Sequence, residues 1–346
     1  MLRSGPARRA AGRGATALDG PRGVRPEELP ALLRLIDAVF RAEAPGMQAE
    51  FPTLFHPRNG PWLRSFWDGG EAVAHAGLWL GRIRSRGRVL NVAHLGAVCT
   101  APQARGRGLA TALLDDTLPR LRSAGVGLLL ISGDRPLYRR VGARPVPGLR
   151  RRTLDAAAAA ALGPEASVLE MPAPEAVAAL RALHAAEPVR YERTAEEWEA
   201  LLPAKGYLPG REGRCAALVG PAGGPPVAYL LCGRPRRDGR DPGVLPVDEF
   251  GGDRRAVLAA LPTLLRRAGC GRAALLSHPG DAALEAALEG IRAEEARHQG
   301  TAVVIDPVRC GLPAGDPDPG PDAAARQTEA LCVAWELPRN DGLQYI

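Results

Sequence analysis

The chain has 346 residues, 46% hydrophobic and 24% charged, an ordinary globular balance with room for two or three modest domains. Its net charge of +7 comes from 45 Lys+Arg spread along the whole length against 38 Asp+Glu, a distribution that argues against a dedicated nucleic-acid binder. No apolar run approaches the ~18 residues that span a bilayer and no h-region follows the N-terminus, so secretion and membrane insertion are disfavoured. The six cysteines (Cys99, Cys215, Cys232, Cys270, Cys310, Cys332) stand far apart without a CxxC, which points to reduced thiols in a cytoplasmic protein rather than a zinc site or a disulfide framework. The skew toward 41 Gly, 33 Pro and a single lysine, Lys205, reads as G+C-rich codon usage, and it raises the bar for any glycine motif.

Residues 1 to 22 carry Arg, Ala and Gly without periodicity and are expected to be disordered. From Pro26, Leu29, Leu32, Leu33, Ile36 and Phe40 recur at helical spacing. A short strand (Trp62 to Trp67), the turn Asp68-Gly69-Gly70 and a longer strand (Ala72 to Ile83) give a hairpin signal. An Arg/Gly turn at Arg84 to Arg88 leads into a strand from Val89 to Thr100. A glycine-rich loop, a helix from Leu109, a buried strand (Val126 to Ser132) and a short helix around Tyr138 follow, and Pro119 is expected to kink or split the preceding helix. The second half repeats this order. Helices at Pro174 to Ala186 and Thr194 to Leu202 precede strands at Cys215 to Val219, Val227 to Cys232 and Val244 to Phe250, then a helix Arg254 to Ala268, a strand Ala273 to Ser277 and a helix Ala282 to Leu288. Thr301 starts another strand, and a helix and strand over Ala323 to Leu337 lead to the tail ending at Ile346.

The stretch that carries chemistry is Gln103-Ala104-Arg105-Gly106-Arg107-Gly108-Leu109-Ala110-Thr111. A strand ends before it and an amphipathic helix begins after it, so unpaired N–H groups and the positive end of the helix dipole face the loop, a terminus suited to phosphate. Arg9-Ala10-Ala11-Gly12-Arg13-Gly14 matches the same Q/R-x-x-G-x-G pattern but has neither a strand before it nor an apolar helix after it. The second informative stretch is Ser132-Gly133-Asp134-Arg135-Pro136-Leu137-Tyr138-Arg139-Arg140-Val141-Gly142-Ala143, which follows the next strand.

The two stretches, in this order, resemble motif A and the YxxxG(F/Y) segment of the GNAT superfamily of acetyl-CoA-dependent N-acetyltransferases. The duplicated second half and the C-terminal extension are similar to the enhanced-intracellular-survival (Eis) branch, which has two GNAT folds. The resemblance implies an α/β (α+β) fold: two tandem GNAT folds, the second degenerate, plus a short C-terminal segment. The expected division is a disordered tail (1–22), a catalytic GNAT domain (23–150), a second GNAT-like domain without a cofactor loop (151–300) and an extension returning toward the active site (301–346).

The same resemblance assigns roles. Backbone groups of Val98, Cys99 and Thr100 line the thioester and pantetheine of acetyl-CoA, the acetyl donor. Gly106, Arg107, Gly108, Leu109, Ala110 and Thr111 hold its pyrophosphate, and Gly133 and Asp134 border its other side. Tyr138 protonates the departing thiolate, as an ordinary phenol with a pKa of about 10 can at neutral pH. Ala143 stands where the family has an aromatic residue. The Eis branch uses the chain's own C-terminal carboxylate as base, here Ile346; His94, or water, competes for that role. Cys99 reads as a buried thiol rather than an acyl carrier. In the second half, Glu249-Phe250-Gly251-Gly252-Asp253-Arg254-Arg255 replaces the loop, and Asp253 is placed to cap the helix and repel phosphate. The expected activity is transfer of acetyl from acetyl-CoA to a primary amine of a small molecule by direct attack in a ternary complex, with no metal, nucleic-acid or membrane partner. A protein N-acetyltransferase and a non-catalytic acyl-CoA-binding protein are the alternatives, and a homo-oligomer is left open.

Overall fold

The computed structural model describes residues 17–41, 46–169, 173–236, 243–314, 321–334 and 337–338. In the first half the elements are β1 (Asp19–Arg22), α1 (Leu29–Phe40), α2 (Met47–Glu50), β2 (Leu63–Asp68), β3 (Glu71–Ser85), β4 (Arg88–Thr100), α3 (Leu109–Ser123), β5 (Leu128–Ile131), α4 (Pro136–Arg139), β6 (Arg144–Pro145), β7 (Leu149–Asp155), α5 (Ala156–Ala161) and β8 (Ser167–Leu169). There follow α6 (Ala173–Ala185), β9 (Val189–Tyr191), α7 (Ala195–Ala204), β10 (Cys215–Gly220), β11 (Ala228–Cys232), β12 (Val244–Gly252), α8 (Arg254–Ala259), α9 (Leu261–Ala268), β13 (Arg272–Ser277), α10 (Ala282–Ala287), β14 (Glu294–Ala296), β15 (Thr301–Val304) and α11 (Pro321–Ala334). No helix among the described residues is long and apolar enough to cross a membrane.

The strands form two mixed sheets with the same pairing logic. The first runs β1-β2-β3-β4-β5-β15-β6, with β9 added along β3; the second runs β14-β7-β13-β12-β11-β10-β8. In each, an antiparallel hairpin (β3·β4, β11·β12) is followed by a parallel pair (β4·β5, β12·β13) and then by an antiparallel strand drawn from the other half of the chain. The first sheet receives β15 from beyond residue 300, whereas β7, which directly follows the first sheet, crosses to the second. Sheet membership therefore cuts across the sequence divisions at 150/151 and 300/301. Periodicity announces a strand at Thr301 but carries no information about its partner.

Residues alternate across the first sheet, so Leu78, Ala93 and Leu95 face α3 through Leu109, Leu113, Leu114 and Leu121. Trp67 and Trp79 face the opposite side, against Leu32 and Ile36 of α1. Burying each fully covered leucine contributes about 2 kcal/mol from area alone. Pro119 does not break α3, which is continuous from Leu109 to Ser123. Both Pro119 and Asp115 are exposed, so the Asp115 carbonyl that loses its donor belongs to the solvent-facing side of the helix. In the second sheet the expected helix over 254–268 is two helices, with Pro262 in the first turn of α9.

Residues 19–22 correct the expectation of a structureless 1–22: β1 pairs with β2, and Arg22 binds Glu28 through two N–H···O bonds of 2.7 and 2.8 Å. The Arg22 guanidinium holds the Glu28 carboxyl down at about 2. An edge strand needs only one partner and no apolar face of its own, so periodicity could not reveal it. The first 16 residues, with the second glycine motif, lie outside the described residues.

Gly300 determines how closely β15 approaches β5. Its φ is +80°, and a Cβ there would lie 2.0 Å from the Ile131 carbonyl oxygen. Gly300→Ala is expected to lose at least about 2 kcal/mol of stability in urea unfolding, through backbone conformation and the clash together; an unchanged midpoint would contradict this packing.

Candidate active site

The site begins where a parallel ladder stops. β4 and β5 pair from Val92↔Leu128 to Leu95↔Ile131, and the last bond is Ser132 N–H to the Leu95 carbonyl at 2.9 Å. Across β4, the register to β3 slips from Gly77↔Gly96 to His75↔Cys99, so β4 carries one extra residue. Ala97 takes up the irregularity at φ 52°, a left-handed conformation unusual for alanine. β4 thus continues through Gly96 to Thr100 without β5 beside it. Gly133, at φ 110°, turns the chain away on the other side, and its carbonyl accepts a 3.1 Å bond from the Thr301 hydroxyl. The result is a notch between two splayed strands, bordered by Val98, Cys99 and Thr100 on one side and Gly133 on the other.

The glycine loop lies at the exit of β4. Gly106 (φ 77°) and Gly108 (φ 75°) are both left-handed, and no heavy atom lies within 4 Å of where either Cβ would stand. Backbone conformation, rather than crowding, requires glycine here. Gly108 is the N-cap of α3 and provides no side-chain acceptor, so the first-turn N–H groups of Leu109, Ala110 and Thr111 receive no side-chain cap. Leu109 anchors that turn in the core, while Arg105, Arg107, Gly108 and Thr111 remain exposed.

Tyr138 belongs to the same core cluster as Leu95, Ile131, Leu109 and Ala143, which joins both splayed strands to the start of α3. Only 4% of the residue is exposed. Its phenol has no hydrogen-bond partner among the described residues, and burial raises its pKa against the opposing pull of Arg135. Its backbone is fixed by bonds from Val141 N–H and Ala143 N–H to the Tyr138 carbonyl, both 3.1 Å. Ala143 is fully buried, so the smaller residue at this position packs into the core beside Tyr138. Asp134 is held by a bidentate pair to Arg139, 2.7 Å for each bond, which lowers its carboxyl pKa.

His94 and Cys99 belong to the opposite face. His94 is 2% exposed, between the rings of Trp79 and Tyr191 at 5.4 Å each, and its Nε2 is buried without a hydrogen bond. Burial pushes its pKa down to about 3, so near neutrality it is a weak proton acceptor. The Cys99 thiol is buried near Trp67 and pushed up to about 12. Ile346 lies outside the described residues.

Sequence reasoning missed two features. Ser65 and His75, both fully buried, form a 3.0 Å Oγ···Nδ1 pair in the cross-strand row that continues to Cys99, and burial lowers the His75 pKa to about 3. Gly300 and Thr301 shape the β5 side of the notch; the glycine before an apolar strand was the one local signal. A cleft of about 750 Å³ lies away from the notch, between β9 and the ends of β12 and β13. Tyr191 lines it and separates it from His94.

Residues 21–146 match the family model of the acetyltransferase (GNAT) domain. Among solved structures, a GCN5-related N-acetyltransferase from Kribbella flavida aligns at 20% identity over 85% of this chain and 72% of that one, with a TM-score of 0.61. A GCN5-related N-acetyltransferase from Anabaena variabilis aligns at 15% identity over 84% and 73%, with a TM-score of 0.61. Eis1 from Mycobacterium abscessus aligns at 17% identity over 84% and 74%, with a TM-score of 0.57. These TM-scores show a shared fold. No curated protein matches the sequence.

The two depressed histidines make stability depend on pH. Native His75 and His94 stay neutral where unfolded histidine, with a pKa of about 6.5, gains a proton, so stability is retained above pH ~6.5 and lost as pH falls toward 3. Each contributes a slope of about 1.4 kcal/mol per pH unit in that window. In denaturant titrations between pH 6 and 4, His94→Phe is expected to remove one such slope; an unchanged pH dependence would contradict a neutral, buried imidazole.

Proposed function

With residues 21–146 forming a GNAT acetyltransferase domain, we propose that the protein moves acetyl from acetyl-CoA to a primary amine of a small molecule. The observation that carries this reading is the notch between β4 and β5, bordered by an uncapped glycine-rich helix start and sharing one core cluster with Tyr138. The amide groups at Gly106 to Thr111, with Arg107 beside them, suit the pyrophosphate. The β4 edge at Val98 to Thr100, which β5 leaves unpaired, suits the amide groups of pantetheine, and Gly133 and Asp134 border the other side. The Kribbella and Anabaena proteins that share this fold are GCN5-related N-acetyltransferases, and an amine acceptor is in keeping with them.

In the reaction, the neutral amine nitrogen attacks the thioester carbonyl carbon and a C–N bond forms. The tetrahedral intermediate collapses as the C–S bond breaks. Tyr138 O–H gives its proton to the departing sulfur, and the amine's surplus proton leaves to water or a base. Burial raises the Tyr138 pKa, so the phenol stays protonated through neutral and mildly alkaline pH, as an acid must. Direct transfer suits the site better than an acyl-cysteine, because the Cys99 thiol at about 12 supplies almost no thiolate.

Free-thiol release from acetyl-CoA with a panel of amines tests the activity. Tyr138→Phe is expected to lower kcat at least about a hundredfold while acetyl-CoA binding persists; full activity in that variant would remove Tyr138 from the acid role. Gly108→Val is expected to weaken acetyl-CoA binding with less effect on kcat, because it strains the α3 start; unchanged affinity would displace the nucleotide from this loop. Mass spectrometry finding acetyl groups on protein lysines or N-termini, rather than on the small amine, would reassign the acceptor.

A further inference from the structure

We propose that Cys215 and Cys232 form a reactive dithiol that closes to a reversible cross-strand disulfide when exposed to a peroxide. The two residues are 17 positions apart in sequence, but β10 and β11 set them directly opposite one another at the end of their ladder. Directly opposed residues of an antiparallel pair have Cα atoms about 4.5–5.5 Å apart, within the ~4.4–6.8 Å range that a disulfide spans. Their thiols are in hydrogen-bonding contact, and both cysteines are free.

Their surroundings differ in the way the chemistry needs. Cys215 is half-buried at the first position of β10, whereas β8 covers β10 only from Leu218 to Gly220, leaving the Cys215 end of that edge unpaired by β8. Cys232 is fully buried at the last position of β11. The hydrogen bond with Cys232, aided by the Arg267 guanidinium, lowers the Cys215 pKa, while the same bond and burial hold Cys232 protonated. A half-buried thiol whose pKa is lowered thus stands against a fully buried thiol whose pKa is raised. Cys99 and Cys310 contrast with this pair: both are buried and pushed up to about 12.

The steps balance as follows. The Cys215 thiolate attacks one peroxide oxygen, the O–O bond breaks, and Cys215 becomes a sulfenic acid as hydroxide leaves. The Cys232 sulfur then attacks the Cys215 sulfur, the S–O bond breaks, and the hydroxyl leaves as water with the Cys232 proton. Two thiols are oxidised by two electrons, and one hydrogen peroxide is reduced to two waters. The bond would tie β10 to β11 at the edge of the second sheet.

The test treats the full chain with hydrogen peroxide and maps peptides without reductant. The expected product is a single link between the peptides holding Cys215 and Cys232, lighter by two hydrogens and released by dithiothreitol. Cys232→Ala should instead leave a sulfenic acid on Cys215 that dimedone traps, and Cys215→Ser should leave Cys232 unmodified. The proposal is overturned if wild-type Cys215 proceeds to sulfinic acid while Cys232 keeps its thiol, if neither residue reacts, or if Cys215→Ser leaves Cys232 oxidation unchanged. Cys215→Ser lies at a half-exposed strand end, so its result stands even if Cys232→Ala does not fold.

Discussion

The architecture depends on one parallel strand pair that ends early. β4 and β5 are bonded only as far as Leu95 and Ile131, and the extra residue at Ala97 directs the rest of β4 away from its neighbour. A gap between parallel strands exposes backbone donors and acceptors and is tolerable only where something hydrogen-bonds to them. The remainder of the first sheet keeps that gap fixed. β3 pairs with β4 along almost its whole length on one side, and β15 holds β5 on the other with Gly300 tight against Ile131. Arg64, 4% exposed and bonded to Asp116 at 2.6 Å, ties β2 to α3 and so steadies the helix whose first turn faces the glycine loop.

The second sheet repeats the parallel pair but uses the space differently. Asp253 caps α8 with a 2.7 Å bond from Ala256 N–H, where α3 has only a glycine. The Glu187 carboxylate accepts a 2.6 Å bond from Gly252 N–H and pairs with Arg254, so the position corresponding to the Gly106–Thr111 loop already contains an anion of the chain's own. Nearby, burial opposes the charge of Glu249, but Arg193 and His184 outweigh it and hold its pKa well below the usual range. Tyr229 donates to the same carboxylate at 2.9 Å, and His184 bonds to the Tyr191 carbonyl at 2.8 Å. Tyr191 in turn packs on His94 of β4. This continuous polar and aromatic contact joins the two sheets, and the exchange of β7 and β15 joins them through the chain itself.

Much of this was legible in the sequence, and the limits have physical causes. The spacing of Leu29, Leu32 and Ile36 marked α1, and Gly106 and Gly108 were readable because left-handed backbone selects glycine whatever the tertiary context. The placement of Tyr138 after β5 followed from local order. The destinations of β9 and β15, and the opposition of Cys215 to Cys232, depend on non-local register that no periodicity records. β7 was hidden by its Arg150-Arg151-Arg152 run; Arg152 is nonetheless buried, because Glu285 accepts two bonds from it at 2.7 and 2.8 Å. The loss of charge on His94 is likewise a property of burial between two rings.

Amide hydrogen exchange with and without acetyl-CoA tests the central claim most directly. Protection is expected at Val98 to Thr100 and Gly106 to Thr111, with Glu249 to Arg254 of the second sheet unchanged. Protection confined to the second sheet, or to the cleft beside Tyr191, would contradict the assignment of the donor to the β4/β5 notch.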